Sequence, residues 1–198
     1  MTQMRAILGH PDRLKQLAVD IVLHYESLCI EKSEIVQKAM IVYSDRAVAF
    51  RLLQEILAVR PEWGEKHRAE DESALTEEQL NKLMSLPKIN LVATQGANAE
   101  KDLFDACGTK EYRKMLDRQF KNNNTNFKIA VVVDMWITGF DVPSLAVMYI
   151  DKPLQKHTLI QTISRVNRVF DGKDKSLVVD YIGIKNAMLE EIKKYASP

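Results

Sequence analysis

Five short apolar runs recur along the chain, separated by segments of helical periodicity, and this alternation is its strongest constraint on folding. The runs are Ala39–Tyr43, Ile89–Ala93, Ile129–Val133, Leu145–Ile150 and Leu177–Asp180. Each is four to six residues of mostly β-branched or aliphatic side chains, the composition of strands buried on both faces. Helical patterns occupy about 45–59, 109–122, 156–168 and 184–195. Strand and helix in alternation predict a three-layer α/β fold, a parallel sheet flanked by helices.

Ahead of the first run, Leu14, Leu17, Ile21, Tyr25 and Leu28 recur at steps of three and four, an amphipathic helix with Pro11 suited to its first turn. Residues 1–34 therefore read as a helical connector, and 35–198 as the α/β domain. One stretch interrupts the rhythm. Residues 62–82 carry seven acids against three Lys or Arg, and are expected to form a solvated insertion whose early part is an exposed loop. At its end Thr76 and Gln79 form a capping box and Leu75 and Leu80 a hydrophobic staple, so a short helix is expected there.

Composition excludes several classes. With 28 Lys+Arg against 27 Asp+Glu the net charge is +1, which rules out a polybasic nucleic-acid coat but leaves room for a local basic patch. No apolar run approaches the ~18 residues needed to span a bilayer. The opening MTQMRAILGH lacks the apolar core of a signal peptide. Cys29 and Cys107 have neither CxxC spacing nor a nearby His, so they read as packing residues, with no metal site and no disulfide. A cytoplasmic protein is the expectation.

Two segments could carry chemistry. In Lys156–Phe170, Leu159, Ile163, Val166 and Phe170 fall on one helical stripe, while Gln161, Arg165 and Arg168 fall on the opposite one. Two guanidiniums so placed suit an anion, phosphate or carboxylate; spacing alone fits a solvated face as well or better. The second segment, Asp134–Pro143, follows the most apolar run, at what would be the carboxyl end of a parallel sheet, where such folds bind ligands. Gly139 permits a close backbone approach, Thr138 offers a hydroxyl to phosphate, and Asp141 offers a carboxylate to a sugar hydroxyl. By itself it is equally a turn between two strands. His157 reads as a structural helix-start residue, and Trp136 as packing against a neighbouring helix.

Together, the Q-x-x-x-R-x-x-R of Gln161, Arg165 and Arg168 and the preceding T-G-x-D-x-P of Thr138–Pro143 resemble motifs VI and V of superfamily-two helicases and translocases. The run from Lys128 to Gly183 is similar in particular to the motor (R) subunit of type I restriction enzymes. Lys38–Ser44 looks like motif IV, and Thr94–Gly96 like a DNA-contacting loop. Ser164 stands where the commoner helicase pattern has Gly, a place where R subunits tolerate a small residue.

The resemblance implies the second RecA-like domain of a two-domain motor that couples ATP hydrolysis to double-stranded DNA translocation before cleavage. Arg165 and Arg168 would then be arginine fingers, with Gln161 positioning them or the attacking water. Gly139 and Asp141 would line the nucleotide cleft, and Thr138, Ser44 and Thr94 would touch DNA. The chain has no G-x-x-x-x-G-K-[ST], convincing Walker B box or nuclease cluster. ATP and Mg2+ are accordingly expected on the first RecA-like domain of the full-length parent, a type I site-specific deoxyribonuclease, with the isolated fragment inactive. Expected partners are double-stranded DNA, the upstream motor and nuclease domains, and the modification and specificity subunits, with no membrane. The alternatives are a helicase or remodeller outside restriction, or a freestanding α/β domain that binds an anion or a protein.

Overall fold

The computed structural model describes residues 3–31, 38–136, 141–153 and 177–183. The chain opens with α1 (Gln3–Leu8) and α2 (Pro11–Glu31). The first strand, β1 (Lys38–Tyr43), leads into α3 (Arg46–Val59) and the short α4 (Glu77–Leu80). Then come β2 (Ile89–Val92), α5 (Lys101–Cys107), α6 (Lys110–Lys121), β3 (Ile129–Val133), β4 (Leu145–Asp151) and β5 (Leu177–Asp180). All five apolar runs are strands, and Pro11 begins α2 as its missing N–H allows. The expected helices at 156–168 and 184–195 lie outside the described residues.

The strands form one sheet in the order β2-β3-β1-β4-β5, with every neighbouring pair parallel. Period-two alternation then sorts the side chains into two apolar layers. Ile41, Tyr43, Leu91, Val131 and Tyr149 face one way, against α2, α3 and α5. Met40, Val42, Val132, Met148 and Ile150 face the other, where Leu116 and Phe120 of α6 cover them. β1 to β4 are buried along their whole length, as an apolar run predicts for a sheet covered on both faces. β5 departs from that expectation: Leu177 is exposed and the rest of the strand half-buried.

The early part of the insertion is mostly exposed, as expected, but it is anchored by buried side chains. Trp63 is 5% exposed, with its ring edge-on to Tyr25 at 5.6 Å, and Ala69, Leu80 and Leu83 make a small core of their own. Backbone bonds between His67 and Leu86 close the excursion as an antiparallel bridge. Most of its acids face water, Glu70 pairs with Lys88 and Lys128, and its few apolar residues turn inward. The capping box of Thr76 and Gln79 forms as expected. α5 was not anticipated. It joins α6 through Gly108 at φ +59°, where a Cβ would stand 2.2 Å from the Tyr112 ring.

Candidate functional site

Parallel strands place every strand exit on one edge of the sheet, and ligands of open α/β folds bind at that carboxyl edge. Ser44 leaves β1 there, exposed. Asp45 follows and caps α3, accepting from the N–H groups of Ala47 and Val48 at 2.9 and 3.0 Å. That cap turns the chain sharply and brings Arg46 over the exit of β2. The Arg46 Nη1 donates to the Thr94 carbonyl at 2.9 Å and to its hydroxyl at 3.3 Å. Gly96 lies flat against the guanidinium; a Cβ there would meet it at 3.4 Å.

Ser44 and Thr94, both exposed, thus stand on one edge, and Arg46, two residues beyond Ser44 in the chain and missed by the sequence reading, bonds Thr94. The signal is present in its position, first residue of a capped helix directly after β1. Beside it runs a groove of about 660 Å³ lined by Arg46, Phe50, Arg51, Gln54, Gly96 and Asp102. Two hydroxyls and a guanidinium on a strand-exit edge can donate hydrogen bonds to phosphate oxygens, the contact type that positions a nucleic-acid backbone without reading sequence.

The exits of β3 and β4 are tied by charge. Asp134, after β3, pairs with Lys152, after β4. Asp134 and Trp136 both have positive φ, 54° and 60°, a conformation costly for non-glycine residues and concentrated at functional loops. The half-buried Trp136 ring stacks on Phe120 of α6 at 5.4 Å, so it packs against a neighbouring helix as expected. Asp151, the last residue of β4, is held by both guanidinium nitrogens of Arg13 on α2, at 2.8 and 2.5 Å. Hydrogen bonding to Asp151 outweighs burial and raises the Arg13 pKa.

Asp141 is exposed and opens the Val142–Leu145 turn into β4, whose start bonds to β1 at Lys38. It is therefore placed apart from Ser44 and Thr94. Thr138, Gly139, His157, Gln161, Arg165 and Arg168 lie outside the described residues. Cys29 and Cys107 are free thiols, half-buried and buried, and burial raises both pKa values. Among the described residues no cluster of three His, Cys, Asp or Glu could hold a metal, and no helix is long and apolar enough to cross a membrane.

The family model described as "Type I restriction enzyme subunit R domain 3" matches residues 55–182. The chain belongs to the type I restriction enzyme R-subunit family. Among its relatives, the HindI endonuclease subunit of Haemophilus influenzae is 34% identical over 195 residues, covering 96% of this chain. This R-subunit domain spans only 17% of that relative's length. The fragment structure of a putative HsdR subunit from Vibrio vulnificus YJ016 superposes with a TM-score of 0.55 at 14% identity, covering 89% of this chain and 29% of that one. The Mss116p DEAD-box helicase domain 2, bound to an RNA duplex, superposes at 0.51 with 17% identity, covering 91% and 56%. Those superpositions and the parallel sheet make the R-subunit domain RecA-like in fold.

Proposed function

We propose that this chain is the second motor domain of a type I restriction R subunit and helps couple ATP hydrolysis to movement along double-stranded DNA before cleavage. The observation that carries the reading is the carboxyl edge of the sheet, where Ser44 and Thr94 stand exposed and Arg46 bonds Thr94. Membership in the R-subunit family supports it, as does the description of the matching family model as domain 3. On this reading Ser44, Thr94 and Thr138 donate to the DNA backbone. Gly139 and Asp141 border the nucleotide cleft, and Arg165 and Arg168 stabilise the charge that develops on the transferred phosphoryl group, with Gln161 positioning them.

ATP and Mg2+ would supply the phosphoryl chemistry when bound by the first RecA-like domain of the parent chain. On this reading the domain's part is to bring arginines to the phosphates. The parent would act with modification and specificity subunits and feed a separate nuclease domain. Arg168→Ala in the full-length subunit tests the reading. DNA-dependent ATP turnover should fall by about 10³ or more, and turnover within about threefold of the parent would overturn the arginine-finger role.

A further inference from the structure

β4 ends in a buried carboxylate, Asp151, whose side chain is 1% exposed. Its partner comes from the opposite end of the sequence. Arg13, in the first turns of α2, places both nitrogens of its fork on the two Asp151 oxygens and a further contact on the Tyr43 hydroxyl at 3.5 Å. Tyr43 ends β1 and is the register partner of Asp151. The Arg13 guanidinium also donates to the Leu8 carbonyl at the end of α1, at 3.3 Å. One side chain therefore joins α1, α2, β1 and β4 at the exits of two neighbouring strands.

Burial of this pair is a poor way to gain stability. Desolvating two charges cancels much of their attraction, and apolar pairs of similar volume often serve a core as well or better. What a bidentate guanidinium–carboxylate pair supplies, and apolar packing does not, is direction: two parallel hydrogen bonds fix the carboxylate's angle as well as its place. Asp151 is ten residues ahead of Gln161 and fourteen ahead of Arg165 in the chain. The next residue, Lys152, is tied to Asp134, itself in a left-handed conformation. Both residues at the exit of β4 are thus clamped before the chain enters the arginine segment.

We propose that Arg13 is a positioning residue for the motor: through Asp151 it fixes the exit of β4 and couples the opening helices to the arginine-bearing segment. The inference rests on the motor reading above. Loss of such a clamp misplaces the reacting groups without removing any of them, and misplacement on the scale of 1 Å costs up to about 10² in rate.

The test uses the full-length R subunit with the double variant R13M/D151L, which replaces the pair with apolar side chains. Its unfolding midpoint should stay near the parent's, while DNA-dependent kcat for ATP falls about tenfold or more at a KM for ATP within about twofold. Base pairs translocated per ATP should fall as well, a ratio that a reduced folded fraction cannot change. A double variant with parental kcat and coupling ratio overturns the proposal. Should that variant unfold early, R13K decides: a single ammonium keeps the charge but not the fork. R13K is expected to lose about fivefold in kcat at unchanged KM, whereas unaltered kcat and coupling overturn the proposal. Arg168→Ala run in parallel separates the two failures. If it abolishes turnover while the Arg13 variants are parental, the clamp alone is wrong; if it too is parental, the motor reading is wrong.

Discussion

At the amino-terminal edge of the sheet Lys88, Lys128 and Lys38 stand side by side, one at the entry of each of the neighbouring strands β2, β3 and β1. The carboxyl-terminal edge instead sets Ser44, Thr94 and Asp134 in solvent. The amino edge spends its polar groups on itself. The fully buried Lys38 donates to the carbonyls of Phe127 and Asn122 at 2.6 and 3.1 Å and lies 4.9 Å over the Phe120 ring. Glu70, from the acidic insertion, reaches Lys88 at 2.7 Å and Lys128 at 3.6 Å. At the carboxyl edge Ser44 and Thr94 keep exposed side chains, and the backbone after β3 holds positive φ at two non-glycine residues. One edge closes the fold and the other leaves its hydroxyls in solvent, although both belong to the same strands.

The contrast can be broken by substitutions on each side. Arg165→Ala, beyond the exit of β4 in the chain, should cost about 10³ in the parent's DNA-dependent ATP turnover and nothing measurable in unfolding of the domain. Equal losses in both measurements would make that arginine structural. Lys38→Ala should do the reverse. It orphans two carbonyls and opens a cavity, for a loss of about 2–4 kcal/mol in urea unfolding. Retained stability would mean that the amino edge is not a closure.

A third effect is read in acid. Burial pushes the Glu70 carboxyl up, but the hydrogen bond and charge of Lys88, with the charge of Lys128, bring it below the ordinary glutamate value. Burial dominates at Lys128, which stays below the ordinary lysine value even beside Glu70. A lowered carboxylate contributes stability that is complete above its unfolded value, about 4.3, and is lost as pH falls through the lower folded value. Glu70→Gln should therefore flatten the unfolding midpoint against pH below about 4.3, and an unchanged slope would sever the insertion from the edge. The smallest effect belongs to Arg46→Ala. DNA binding by the isolated chain should be weak and steeply salt-dependent, and this variant should lower the slope of log K against log salt by about one. An unchanged slope would remove Arg46 from the DNA contact.

Much of this is legible in the sequence alone. Pattern within a window of four to twenty residues is a local property, and it located the five strands, the buried stripe of α2, α3, α6 and the Thr76 capping box. Trp63 went unread because a single aromatic in a charged stretch has no periodicity to reveal which way it faces. The place of Arg46 at the start of a capped helix is in the sequence, but its bond to Thr94 depends on β2 and β1 flanking β3, a strand order that no stretch of sequence states.

The sequence by itself determined the alternation, hence a parallel α/β sheet, and the motifs that tie the chain to R subunits. It could do so because hydrophobic period and motif spacing act over a few turns of chain. Only the tertiary structure decided which charges meet. Arg13 and Asp151 are 138 residues apart, and Lys38, Lys88 and Lys128 share an edge only because β2, β3 and β1 are neighbours. Charge pairing is set by distance in space, and the packing of the sheet and its helices sets that distance.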